Sequence, residues 1–246
     1  MRKLALTLTL LLTSMGAWAA GDKSCGQIDC YEFKADLSDQ PAMQRGAATF
    51  VNYCMGCHEA SYSRYERVAT DLGIPFEIAE QNLIFDDSKI GSLMVNSMPE
   101  DTAKIWFGAT PPDLTLVARA RGPEWLYTYL LTFYQDPSRP WGVNNLAFKD
   151  VGMPNVLLEL QGSQKCLPND KDEHGVCAHV EHIPDTGSQS PEEFEQTISD
   201  LTTYMTYMSE PAALERKRIG VYVLLFLAFF MVFAWLLNRE YWKDVH

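Results

Sequence analysis

Two thiols three residues apart, followed at once by an imidazole, form the most chemically specific pattern in this chain: Cys54-Met55-Gly56-Cys57-His58. Two intervening residues let one turn of backbone carry both sulfurs to the two vinyl groups on one edge of a haem. Each thiol adds across a vinyl group and becomes a thioether. His58, next in line, then turns its imidazole toward the iron. The spacing predicts one covalent c-type haem held by Cys54 and Cys57, with His58 on the metal. Two other chemistries use a Cys-x-x-Cys pair. A redox disulfide expects a βαβ setting, and half of a zinc site expects a second pair at similar spacing. The sequence offers neither.

Iron held by one imidazole takes a second axial ligand, and a neutral thioether or imidazole is the usual donor. Met153 stands in Val151-Gly152-Met153-Pro154, where Gly152 keeps bulk away from a haem face and Pro154 stiffens the backbone. Met98, before Pro99, is the second candidate. Met205 and Met208 recur at helical spacing and read as packing. His174, His179 and His182 fall in an acidic loop and read as solvated. The residues alone rank Met153 ahead of Met98 and leave both open.

These groups need elements to hold them. Pro41 to Cys57 predicts a helix, with Ala47, Phe50, Val51 and Cys54 on one face. Gly46 leaves room for another helix, and Phe50 adds apolar area one turn on. Ser190-Pro191-Glu192-Glu193 is a strong helix start, with Ser190 as cap and Glu193 completing a capping box. That helix runs through Phe194, Ile198, Leu201 and Met205 and breaks at Pro211. Ile198, Leu201 and Tyr204 are its expected contacts with the first helix, a crossing that would close the haem crevice. A short helix, Glu124 to Tyr134, is entered through Pro123 and stops before Pro137. Residues 61–112 are mixed, with turns at Gly73-Ile74-Pro75 and Pro111-Pro112, and 136–185 is loop-rich. Little reads as strand and no repeat is visible, so the expected class is mainly α.

The two ends are apolar. Arg2 and Lys3, the run Leu4 to Met15 and the small residues of Ala17-Trp18-Ala19 predict a signal peptide over 1–19, cleaved after export. Ile219 to Leu237 has no charged residue in nineteen positions, enough for one spanning helix. Trp235, Tyr241 and Trp242 suit an interfacial belt. The expected organisation is a signal peptide (1–19), an exported haem domain (20–215), and a C-terminal anchor with a short cytoplasmic tail (216–246). Export places the remaining cysteines in an oxidising compartment, where neighbour pairing, Cys25 with Cys30 and Cys166 with Cys177, is the simplest arrangement. Residues 20–215 carry thirty Asp and Glu against thirteen Lys and Arg, a net charge of −17. Such a surface repels nucleic acid and attracts a basic protein. Asp170, Asp172, Glu173, Glu181 and Asp185 gather in one loop.

With these residues in place, the chain resembles the cytochrome c1 family. The matching stretches are Cys54-Met55-Gly56-Cys57-His58, Gly108-Ala109-Thr110-Pro111-Pro112-Asp113-Leu114, Ala118-Arg119-Ala120-Arg121-Gly122, Leu130-Leu131-Thr132, Gly152-Met153-Pro154, and Glu210-Pro211 before a basic cluster and the anchor. The resemblance implies a cytochrome c-like haem domain and an electron-transfer subunit of a quinol–cytochrome c oxidoreductase. It implies Met153 as the axial ligand, Pro111 and Pro112 on the proximal side of the haem, and Arg121 paired with a propionate, which suits a guanidinium. The implied partners are cytochrome b, a Rieske iron–sulfur protein and an acceptor cytochrome c. One departure from the family is the single proline after Met153, where some relatives read Met-Ala-Pro-Pro. Another membrane-anchored monohaem carrier, serving a terminal oxidase or reductase, is the alternative. A catalytic haem protein would need an open iron position.

Overall fold

Asp39 accepts a hydrogen bond from the backbone N–H of Ala42 at 3.0 Å, and Pro41 occupies the first turn, so the first helix starts where the sequence supplies a cap and a pre-set φ. The computed structural model describes residues 24–26, 28–167, 170 and 177–244. The expected signal peptide, His174, Asp172 and Glu173 lie outside them. In chain order the described helices are α1 (Gln40–Tyr53), α2 (Tyr65–Asp71), α3 (Phe76–Leu83), α4 (Glu100–Phe107), α5 (Val117–Arg121), α6 (Pro123–Leu131), α7 (Leu158–Gln161), α8 (Pro191–Ser209) and α9 (Ala213–Tyr241). The strands are β1 (Ser24–Cys25), β2 (Ile28–Asp29), β3 (Ala60–Arg64), β4 (Leu93–Met94), β5 (Phe133–Gln135), β6 (Val143–Asn145), β7 (Gln164–Cys166) and β8 (Val180–His182).

The core is the crossing of α1 on α8. Gly46 lies so close to α8 that an added Cβ would collide with the Asp200 carbonyl oxygen. Beside it, Arg45 Nε and Nη2 donate to the two carboxylate oxygens of the buried Asp200, at 2.6 and 3.1 Å. One turn on, the fully buried rings of Phe50 and Tyr204 meet at 5.6 Å. The predicted apolar face is buried throughout, as are Ile198 and Leu201 opposite it, and so are Met205 and Met208. The capping box at Ser190 and Glu193 is formed in both directions.

The structure corrects three details. Helix α6 ends at Leu131, and Phe133–Gln135 is a strand. Thr132 turns its hydroxyl back onto the Thr128 carbonyl, at 2.7 Å, and Phe133 and Tyr134 have partners to pair with across the sheet. β-favouring side chains with a ladder available outweigh the helical pattern. Second, the domain is mainly α but carries a four-stranded sheet, β6-β5-β7-β8, antiparallel except for β5 beside β7. Its strands are three residues long, too short for alternation to register. Third, His182 is not simply solvated: it is half-buried, with Nε2 2.9 Å from the Gln161 carbonyl. His179 is exposed, 3.0 Å from Asp170 Oδ2. Disulfides join Cys25 to Cys30 and Cys166 to Cys177, the neighbour pairing.

Helix α8 ends at Ser209, just before Pro211, and three residues separate it from the start of α9 at Ala213. Glu210 bridges the join, 3.5 Å from Arg119 Nη1 and 2.9 Å from Arg216 Nη2. Among the described residues α9 is the one helix long and apolar enough to cross a bilayer. An 18-residue window has mean hydropathy 2.6, and none of it is buried. It contains the whole predicted span and runs four residues beyond it, to Tyr241.

Candidate haem-binding site

Helix α1 stops one residue before the attachment motif, and the motif coils back on the helix end. Cys54 N–H donates to the Phe50 carbonyl at 2.9 Å, and the Cys54 carbonyl then accepts from Cys57 and His58, at 3.1 and 2.9 Å. One carbonyl thus gathers the second thiol and the imidazole to the same place. With the other four cysteines in disulfides, Cys54 and Cys57 are the free thiols. That leaves no second cysteine pair for zinc, and among the described residues no three His, Cys, Asp or Glu side chains gather as metal ligands. Cys54 is buried, which disfavours its thiolate and, with Cys57 beside it, pushes the thiol up to about 12.

His58 is aimed by a backbone group. Its Nδ1 lies 2.8 Å from the Pro112 carbonyl oxygen, which assigns the proton to Nδ1 and leaves the Nε2 lone pair free for a metal. Partial burial lowers its pKa against the opposing pull of that carbonyl and of Asp113, favouring the neutral form that binds iron. Pro111 and Pro112 have no N–H of their own, so the segment is clamped one residue further on. Asp113 Oδ2 accepts from Ser61 N–H and O–H, at 2.7 and 2.6 Å, and Oδ1 accepts from Thr115 N–H at 2.8 Å. Leu114 N–H donates to the Glu59 carbonyl at 2.8 Å.

Desolvation would raise the Asp113 pKa, but the hydrogen bonds from Ser61 and Thr115 outweigh it and hold the carboxyl below its ordinary 3.8. A depressed carboxylate contributes stability above its unfolded pKa and loses it as pH falls through the folded one. Asp113→Asn should therefore destabilise the detergent-solubilised chain at pH 7, and the gap from wild type should close below about pH 4. Urea unfolding at both pH values checks this; a gap that widens in acid contradicts the clamp.

Arg121 and Met153 meet across a second set of side chains. The Arg121 guanidinium carbon lies 5.1 Å from the centre of the Trp125 ring. Trp125 stacks on Tyr129 at 5.0 Å and 11°, and the Tyr129 hydroxyl donates to Met153 Sδ at 3.4 Å. Arg121, Trp125 and Tyr129 are spaced four residues apart, a signal the sequence carried and the motif reading passed over. Burial raises the Tyr129 pKa, so the phenol keeps its proton as a donor. A sulfur accepting one hydrogen bond still has a lone pair for a metal. Val151 and Gly152 face a cavity of about 470 Å³ with aromatic walls from Trp106, Phe107 and Trp141. A second cavity, about 520 Å³, lies beside Met55 and Gly56 and contains Met98. Trp106 lines both. Two thiols in one turn, an imidazole with its Nε2 free, thioethers and aromatic walls fit a covalently bound haem.

A protein-family model described as the Cytochrome C1 family matches residues 32–245. Cytochrome c1 of Allochromatium vinosum is 48% identical over 248 residues, covering all of both chains. A protein named ammonia monooxygenase gamma subunit, from Nitrosomonas europaea, is 41% identical and covers 98% of this chain and 97% of its own. Cytochrome c1 of Rhodospirillum rubrum is 27% identical, covering 84% and 83%. A chain of a solved structure described as a hyperthermophilic respiratory Complex III aligns over the full length at 13% identity with TM-score 0.43, a likeness too distant to bear on the fold. A family match over residues 32–245, and a full-length relative near half identical, make this chain a member of the cytochrome c1 family.

Proposed function

We propose that the chain is the haem-carrying subunit of a quinol–cytochrome c oxidoreductase, taking an electron from a Rieske iron–sulfur protein and passing it to a cytochrome c beside a cytochrome b subunit. Membership of the cytochrome c1 family over residues 32–245 carries this reading. The bound haem c supplies a one-electron couple at its iron. The chain's own residues fix where that couple sits. Cys54 and Cys57 would hold the haem through two thioethers, and His58 and Met153 would ligate its iron. Pro111 and Pro112 would line the His58 side of the haem. Arg121 neutralises a propionate. Residues 1–19 direct export and are removed, 20–215 stand outside the cytoplasmic membrane, and 216–246 anchor the domain.

Cys57→Ala should abolish two-thioether attachment. The denatured variant should then lose the pyridine haemochrome spectrum of a doubly attached haem, and an unchanged spectrum rejects the site. Purification of the intact protein in mild detergent tests the assembly: a di-haem b-type subunit should accompany it. A monohaem chain found instead with a terminal oxidase would mean a different complex.

The charge of −17 on residues 20–215 suits a basic acceptor. Second-order electron transfer to a basic cytochrome c should slow steeply as salt approaches about 0.15 M, where the Debye length is roughly 8 Å. A rate indifferent to salt removes steering. Of the acidic loop, Asp170, Glu181 and Asp185 are described; Asp172 and Glu173 lie outside the described residues.

A further inference from the structure

We propose that Asp150 is a positioning residue for Met153, acting through a clasp with Arg139 and Asn144 that keeps the methionine loop closed. The proposal rests on Met153 as axial ligand. Asp150 has φ 61°, a left-handed conformation that a residue with a side chain adopts where its surroundings impose it. Each of its polar groups has a partner. Its N–H donates to Asn144 Oδ1 at 2.9 Å, its carbonyl accepts from Arg139 Nη2 at 3.0 Å, and its carboxylate lies 3.1 Å from Arg139 Nη1.

The two partners are themselves fixed. Arg139 sits in a tight loop closed by hydrogen bonds from Asp136 N–H to the Gly142 carbonyl and from Gly142 N–H to the Arg139 carbonyl, both 2.9 Å. Asn144 is buried and donates from Nδ2 to Asp136 Oδ2 at 3.0 Å. Its neighbour Asn145 accepts from Ala147 and Phe148 N–H, at 2.9 and 3.1 Å, and donates to the Tyr129 carbonyl at 2.7 Å. The turn from β6 to Asp150 is therefore held from end to end. Val151, next in the chain, is buried, and Met153 follows two residues later. The Arg139–Asp150 ion pair is too exposed to matter as a charge pair, 28% and 54%. Its effect lies in holding the backbone from which Met153 reaches out.

Met153 must leave the iron before an external ligand can bind there, so the rate of ligand entry reports how often the loop opens. In the full chain, in detergent and with its haem attached, imidazole binding to the ferric protein should speed up roughly tenfold in Arg139→Gln, which removes the donors to the Asp150 carbonyl and carboxylate, and in Asp150→Ala, where the left-handed backbone at φ 61° becomes unfavourable for the new residue. Asp150→Asn tolerates the same backbone and keeps an acceptor, so it should stay nearer wild type. Haem content and far-ultraviolet circular dichroism identify any variant that fails to fold; Arg139→Gln leaves the Asp150 backbone untouched and serves if Asp150→Ala does not. Unchanged imidazole rates in the folded variants overturn the clasp. Met153→Leu separates the two ideas. If it removes the red-edge sulfur-to-iron band while the clasp variants bind imidazole at the wild-type rate, the ligand stands and the clasp falls. If the band survives in Met153→Leu, both fall.

Discussion

Met153→Leu is expected to remove the weak red-edge band of sulfur-to-iron charge transfer and to lower the reduction potential by on the order of 0.1 V or more. Axial ligands command a span of roughly 0.8 V, and a thioether opposite imidazole favours the reduced iron. Leucine matches methionine closely in volume, so the fold should lose less than about 1.5 kcal/mol. The loss falls on the donor atom. Tyr129, which donates to Met153 Sδ at 3.4 Å, would be left without that acceptor. The reduced variant should also bind carbon monoxide, which a six-coordinate iron resists. With Met153 as the ligand, Met98→Leu should change none of this. Redox titration and visible spectra of both variants decide the matter, and the reverse pattern would make Met98 the ligand.

Gly46→Ala should be the most disruptive single-methyl change in the domain. The new Cβ would run into the Asp200 carbonyl oxygen, with the Asp200 carbonyl carbon and Tyr204 Cβ each at 2.7 Å. Most of that wall is backbone, which cannot rotate away, so the helices must part. Parting them opens the Phe50–Tyr204 contact and strains the Arg45–Asp200 pair. Overpacking a core usually costs about 1–3 kcal/mol, and a collision with main chain at a helix crossing should reach the upper end or exceed it. Gly91→Ala is the control, since its added Cβ would meet only the tip of the Glu66 side chain at 3.8 Å, an ordinary contact. Thermal melts of the detergent-solubilised chain should fall sharply for the first variant and barely for the second. Equal melts would mean that the two helices can shift apart at little cost.

The crossing was legible in the sequence because it is made by local rules: a glycine on a helical face, an aromatic one turn later, and a capping box on the partner helix. Four cysteines allow three pairings, and the sequence favoured the neighbour pairing as the simplest without fixing it; the structure forms that one. The sheet was not legible, since pairing between segments as far apart as 133–135 and 164–166 leaves no periodic trace. The supports of the site were hidden for a related reason. Asn144, Asn145 and Tyr129 act by hydrogen bonds to neighbours brought close only by folding, and a buried asparagine looks in sequence like one from a surface loop. Asp113 stood inside a matching motif, yet its task of clamping the prolines against Ser61 belongs to tertiary structure.

The burial of Cys54 orders the events of maturation. On the proposed function, haem is attached in the compartment where Cys25–Cys30 and Cys166–Cys177 are oxidised, so Cys54 and Cys57 would have to stay reduced until it arrives. A thiol that ionises only near 12 is a poor partner in disulfide exchange, so the finished fold shields Cys54 from oxidants. The same shielding would slow its reaction with a haem that comes late. On the proposed function, bond formation at Cys54 is then easiest in a chain still open between α1 and α8, before Tyr204 closes on Phe50.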